Sequence, residues 1–230
     1  ISKLAHSHFS KYSFKFIMYG INALSKLFIA HLLFPADLGL FSMVILPINF
    51  LTLFIGLGVD YFLITSQEKF EKNANHAFLF TSIIGIILFT LSFLSAPAVA
   101  SFFNNNSMIA MIRFMSIILV FDSISIIFMS FFVRELHFST KGIVETVTLL
   151  SNSIVSITLA FFGYGIWSLL WGYAVQHFLL MLCYILFCPW KPHIISSTFD
   201  KKSIFALFSK TTPFFSGTFL AWFVTNVDNI

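Results

Sequence analysis

Charge is scarce in this chain. Only 10% of its 230 residues are Asp, Glu, Lys or Arg, whereas a soluble domain carries roughly a quarter. Too few polar side chains are present to cover a water-exposed surface, so a soluble enzyme is excluded. Cysteine is scarcer still. Cys183 and Cys188 stand near the end of one apolar segment, which rules out a disulfide scaffold and a four-cysteine metal site and leaves two free thiols as the expectation. Also missing are a phosphate-binding glycine loop, a nucleophile elbow, a His-Glu-x-x-His pattern and a concentrated pair of acids in the water-facing loops. No catalytic residue, metal or cofactor is assigned, and transport or passive structure outranks catalysis.

What is abundant is apolar surface. Hydrophobic residues make up 58% of the chain, Phe alone occurs 33 times, and the mean hydropathy is +0.94, so lipid is the natural solvent for most of it. The net charge of +4 therefore does not mark a nucleic-acid partner. Crossing a hydrocarbon core of about 30 Å takes roughly twenty helical residues. Apolar runs of that length fall near residues 12–34, 38–63, 76–101, 107–133, 142–162, 165–187 and 207–230. Six are complete and the last is incomplete. They lack the ten-residue alternation of a barrel, and lipid leaves no backbone group unpaired, so each is expected to be a helix.

The expected fold class is all-α integral membrane: a six-helix transmembrane bundle over residues 1–188, a cytoplasmic interfacial linker over 189–206, and over 207–230 the first span of a second, truncated bundle. The linker mixes Trp190, Phe199, Ile204 and Phe205 with Lys191, Lys201 and Lys202, a composition suited to lying along the interface. With Ile1 at one end and an unfinished apolar pattern at the other, the chain reads as a fragment. Lys3, Lys11 and Lys15 precede an apolar stretch too long for a signal-peptide core, so a retained first span is expected.

The connections alternate. Phe34-Pro35-Ala36-Asp37, Phe103-Asn104-Asn105-Asn106 and Gly163-Tyr164-Gly165 lack Lys and Arg, whereas the other loops, the N-terminal stretch and Lys210 at the start of span seven account for eleven of the thirteen cations, leaving Lys26 and Arg113 within spans. The cationic side is assigned to the cytoplasm, with the N-terminus inside. Trp167, Trp171 and Tyr164 at one end of span six and Trp190 at the other read as aromatic belts.

An ionisable group inside a span costs a few kcal/mol unless it faces protein or water. Lys26 lies about 21 Å along span one, with Asn22 one turn before it, and Arg113 lies about 9 Å into span four from its outer end. Two cations at similar depth suit an anionic substrate, with snorkelling or a structural ion pair as the alternative. In span five Glu145, Thr148, Asn152 and Ser156 form one helical stripe, which serves either cavity lining or packing; Glu145, one turn from Lys141, can also be interfacial. Asp122, nine residues from Arg113, falls on the opposite face of span four. It is a candidate for coupling to an ion gradient, with a structural role equally open. Gln176 and His177 sit in mid-span six, where a lone His is usually a hydrogen-bonded packing residue. Asp228 falls near the outer end of span seven.

Four stretches carry a family resemblance. Ile29-Ala30-His31-Leu32-Leu33-Phe34-Pro35-Ala36-Asp37-Leu38-Gly39-Leu40-Phe41, Phe132-Val133-Arg134-Glu135-Leu136-His137-Phe138, Phe162-Gly163-Tyr164-Gly165-Ile166-Trp167-Ser168-Leu169 and Asn226-Val227-Asp228-Asn229 together resemble the polysaccharide transporter branch of the multidrug/oligosaccharidyl-lipid/polysaccharide exporter superfamily. That branch holds the Wzx-type flippases and the lipopolysaccharide (O-antigen) or teichuronic acid exporters. His31 departs from the family's usual Arg, and Gly56 stands where an acidic residue often occurs.

The resemblance implies two six-helix bundles around a cleft in the bacterial cytoplasmic (inner) membrane, this chain supplying the first bundle. It implies alternating-access movement of an undecaprenyl-pyrophosphate-linked oligosaccharide, coupled to a proton or sodium gradient. Lys26, Asn22, Arg113, Asn152 and Ser156 are then the expected substrate-binding residues, and Asp122, Glu145 and Asp228 the ion-coupling candidates. A drug antiporter of the same fold, a membrane-embedded glycosyltransferase or acyltransferase, and a non-transporting structural subunit are the alternatives.

Overall fold

The computed structural model describes Gly20, Ala23, Ser25 and residues 27–192. Asn22, Lys26 and Asp228 lie outside the described residues, as do most of the expected spans 12–34 and 207–230 and the linker beyond 192. The described part is all-helical. Residues 27–32 are helical and lead into α1 (Pro35–Gly56), α2 (Val59–Thr65), α3 (Phe70–Phe102), α4 (Met108–Met115), α5 (Ile117–Arg134), α6 (Phe138–Phe161) and α7 (Ile166–Phe187).

Five stretches are long and apolar enough to cross a membrane: Pro35–Gly56, Asn73–Phe102, Met108–Arg134, Phe138–Phe161 and Ile166–Phe187. Their ends agree with the turn chemistry. Pro35 takes the first position of α1, where its missing N–H costs nothing, and Asp37 meets the positive end of the helix in the first turn. Gly163 and Gly165 supply left-handed backbone between α6 and α7.

One expected span is broken. The apolar run 38–63 folds as two helices, because Leu57 (φ 45°) and Gly58 (φ 82°) are both left-handed, and a right-handed helix cannot pass through two such residues. The apolar composition runs through the break without a gap, and only the Gly56-Leu57-Gly58 triplet signals it. At the other end of α2, Arg134 clamps the chain. Its Nη1 donates to Leu63 O at 2.9 Å, its Nη2 donates to Glu68 O, and its guanidinium lies 5.8 Å from the Phe70 ring. The positive head thus satisfies carbonyls at the negative end of a short helix.

Span four is the centre of the bundle. Half of Met108–Arg134 is buried, against 17–28% of the other four spans, and α5 packs on α1, α2, α3, α6 and α7. The turn at Ser116 keeps right-handed backbone (φ −55°, ψ −29°), and its hydroxyl sits 2.7 Å from Ile112 O and 2.8 Å from Ser92 Oγ on α3. Trp190 departs from the belt expectation. It is only 7% exposed and packs on Phe70, Phe78 and Phe128 at ring separations of 5.6, 6.4 and 5.5 Å. Just beyond α7 the chain folds back under α3 and α5, so this indole joins the core. Cys183 and Cys188 are free, as expected.

Close approach of α3 to α5 requires Gly85. A Cβ there would fall 2.4 Å from Ser123 Cβ and 3.1 Å from Leu119 O, and neither atom moves without its backbone. Gly85→Ala would gain about 0.4–1 kcal/mol from a less flexible unfolded chain, but the overpacking costs about 1–3 kcal/mol and wins. The variant is therefore expected to lower the Tm of detergent-purified protein, and Ser123→Gly in the same chain is expected to restore it. Equal Tm values for Gly85→Ala and wild type would disprove the close contact.

Candidate functional site

The seam between α6 and α7 is built from the polar stripe that the sequence marks. Asn152 Nδ2 donates to Gln176 Oε1 at 2.7 Å, and Ser156 Oγ donates to Asn152 Oδ1 at 3.0 Å. Thr148 and Ser156 are fully buried. The helices come this close because position 172 is Gly: a Cβ there would fall 1.9 Å from Ser156 Oγ and 2.6 Å from Asn152 Oδ1. Ser156 serves packing. Asn152 serves both packing and the lining of a cavity of about 470 Å³ between Ser25, Ile29 and Ala30, α1, α6 and α7. Ser25, Phe41, Ser42, Ser153 and Tyr173 share that lining.

A second polar centre joins α5 to α7. His177 Nδ1 lies 2.6 Å from Asp122 Oδ1, with the two side chains 17% and 22% exposed. The Tyr173 ring stacks on the imidazole at 4.5 Å, and Tyr173 Oη donates to Asn49 Oδ1 at 3.4 Å. Asp122 also lines a cavity of about 280 Å³, together with Glu145, Thr52, Ser125 and Tyr184. Glu145 accepts from Lys141 and, at 3.2 Å, from Tyr184 Oη. Two carboxylates from different helices thus face one space, each with a basic partner. A carboxylate held away from water needs such a partner, since its desolvation costs several kcal/mol. Among the described residues no group of three or more His, Cys, Asp and Glu converges as a metal site.

Arg113 stands apart from both centres. It is exposed, its guanidinium lies 4.8 Å from the Phe93 ring, and its Nε donates to Phe93 O at 3.4 Å. It lines neither cavity, and it sits on a different side of span four from Asp122. The structure therefore brings Asn152 and Ser156 together, and Asp122 and Glu145 together, but not Arg113 with either pair. Sequence reasoning missed the Asp122–His177 partnership, because 55 residues separate the two and no spacing rule links them. Tyr173 had a local signal, being one helical turn before His177, as did Ser153 beside Asn152.

Comparison with known proteins adds the family. A family model described as polysaccharide biosynthesis protein matches residues 28–230. The succinoglycan biosynthesis transport protein ExoT of Rhizobium meliloti (strain 1021) is 21% identical over 152 residues, which is 66% of this chain and 31% of that protein. The chain thus matches less than a third of that relative's length. No solved structure matches it. A family match over most of the chain, on a fold with five membrane-length apolar helices, agrees with the turns that resemble polysaccharide transporters; the chain belongs to the polysaccharide biosynthesis protein family.

Proposed function

We propose that this chain is the N-terminal part of a flippase that moves a lipid-linked oligosaccharide, of the undecaprenyl-pyrophosphate type, across the bacterial cytoplasmic membrane for surface polysaccharide assembly such as O-antigen or lipopolysaccharide. In this reading residues 1–188 form the first bundle, 189–206 the cytoplasmic linker and 207–230 the first span of a second bundle. The observation that carries it is a pair of cavities in a helical bundle of this family, largely apolar but one holding Asp122 and Glu145 and the other Asn152 and three serines. The partly buried Asp122–His177 pair beside an open space supports the reading, since a polar group in lipid costs free energy unless it meets protein or water.

Alternating access follows from the division of chemistry. Lys26 and Asn22 on span one attract the pyrophosphate, Asn152 faces the glycan with Ser156 behind it holding its amide oxygen, and Asp122 with His177, supported by Glu145, binds the coupling proton or sodium ion. Asp228 on span seven is the counterpart candidate in the second bundle. Arg113, exposed on α4, meets the substrate's charged head or the lipid phosphates in this reading. The substrate's remote binding energy is then spent on favouring one conformation over the other, which a ligand does only through differential affinity.

Three outcomes are expected of the full-length protein. In reconstituted vesicles Lys26→Ala should lower delivery of labelled lipid-linked glycan to the far leaflet by about tenfold or more at unchanged protein level. Undiminished delivery would remove Lys26 from the mechanism. Asp122→Asn keeps the shape of the Asp122–His177 contact but deletes the titratable group, so transport should no longer respond to an imposed proton or sodium gradient. A wild-type response in that variant would place coupling elsewhere. In a background lacking Cys183 and Cys188, cysteine at Asn106 should react with an impermeant maleimide from outside the cell, and cysteine at Gln67 only after permeabilisation. The reverse pattern would invert the topology.

A further inference from the structure

The cavity of about 470 Å³ falls within the range of small-molecule pockets, roughly 300–1,000 Å³. Its chemistry differs from that of its neighbour. None of the described residues lining it carries a charge, whereas the smaller cavity holds Asp122 and Glu145.

Its hydroxyl hydrogens are already committed inward. Ser25 Oγ donates to Ser153 Oγ at 2.6 Å, Ser153 Oγ donates to Leu149 O at 3.1 Å, and Ser42 Oγ donates to Leu38 O at 3.0 Å. What these oxygens offer a ligand is lone pairs. An anion, being acceptor-only, gains nothing from these hydroxyls, while a ligand rich in O–H groups can donate to every one of them. The aromatic part is supplied by Phe41 and Tyr173, which meet edge to face with centroids 6.1 Å apart. The negative face of an aromatic ring attracts the weakly positive C–H face of a pyranose, and the aliphatic walls of Ile29, Leu38 and Leu169 accept the same face. A hydrocarbon tail makes no use of the remaining lone pairs on Ser25, Ser42 and Ser153, whereas the O–H groups of a sugar can donate to them.

We propose that this cavity is a subsite for a neutral glycosyl unit of the transported glycan, stacked against Phe41 and hydrogen-bonded to Ser25, Ser42 and Ser153. It rests on the flippase reading for its source of sugar, but not for its chemistry. The sugar is read by uncharged oxygens.

The test uses purified full-length protein and three probes: a polyprenyl pyrophosphate carrying a neutral disaccharide, the same lipid without sugar, and free lactose. Phe41→Leu keeps the volume and apolarity of the site but removes the ring. It should weaken the glycosylated lipid by about fivefold to tenfold and leave the bare lipid within about twofold. Ser153→Phe fills the cavity and should abolish the advantage of glycosylated over bare lipid. Ser153→Ala, which deletes one hydroxyl, should cost about threefold and covers the case in which the Phe variant misfolds. Equal losses for glycosylated and bare lipid would put a hydrocarbon chain in the cavity and overturn the proposal, as would unchanged affinity for both. If wild type binds lactose and Phe41→Leu does not, yet wild type moves no lipid-linked glycan in vesicles, the flippase reading falls and the sugar subsite stands.

Discussion

No water is present within a bilayer to satisfy a polar group, and the polar side chains inside this bundle are arranged by that constraint. The cost of an unmet group drives each toward a partner in protein or at an internal cavity, and among the described residues Ser82 Oγ is the buried side-chain atom left without one. Ser92 meets Ser116, Asn152 meets Gln176, Asp122 meets His177, and Glu145 meets Lys141 and Tyr184. Every one of these pairs joins two helices except Lys141–Glu145, which lies on α6 alone. Apolar packing cannot choose among helix arrangements when lipid tails are as apolar as the Leu, Ile and Phe of the chain, so the pairs fix which helix sits beside which. Conversely the large exposed side chains, such as Ile86, Leu94, Ile154 and Leu186, need no explanation in a lipid solvent.

Small residues make those pairings possible. Gly172 lets the α6 stripe approach α7 until Asn152 and Gln176 bond, and Gly85 does the same for α3 against Ser123. Without close backbones the polar side chains would be too short to reach one another. The same approach brings Tyr173 and Asn152 to opposite helices of one cavity wall, so the seam that stabilises the bundle also shapes its interior space.

Much of this was legible in the sequence. Length and hydropathy placed the membrane-length helices at Asn73–Phe102, Met108–Arg134, Phe138–Phe161 and Ile166–Phe187 within a few residues, because a twenty-residue apolar run has few other solutions in lipid. The stripe of Glu145, Thr148, Asn152 and Ser156 was legible because helical periodicity is local. The break at Leu57–Gly58 was not, since hydropathy averages over a window and two left-handed residues do not change it. Nor was the burial of Trp190, which depends on where the chain turns after α7. The pairing of Asp122 with His177 was beyond periodicity altogether, being set by tertiary packing of α5 on α7.

The two cavities are separate in chemistry but not in structure. Tyr173 lines the uncharged one, and the same ring stacks on His177, whose partner Asp122 lines the acidic one. Any rotation of the imidazole that follows a change at Asp122 must displace or follow that ring, because packed interiors do not deform continuously. Tyr173 is held on its other side by Phe41 at 6.1 Å and by Asn49 at 3.4 Å, both on α1. Movement at the acidic centre therefore reaches α1 through a tyrosine rather than through a long-range field, and α1 is the helix that ends at the Leu57–Gly58 break. Side-chain rearrangement at mid-bundle and the helix that ends at this break are joined by direct contacts.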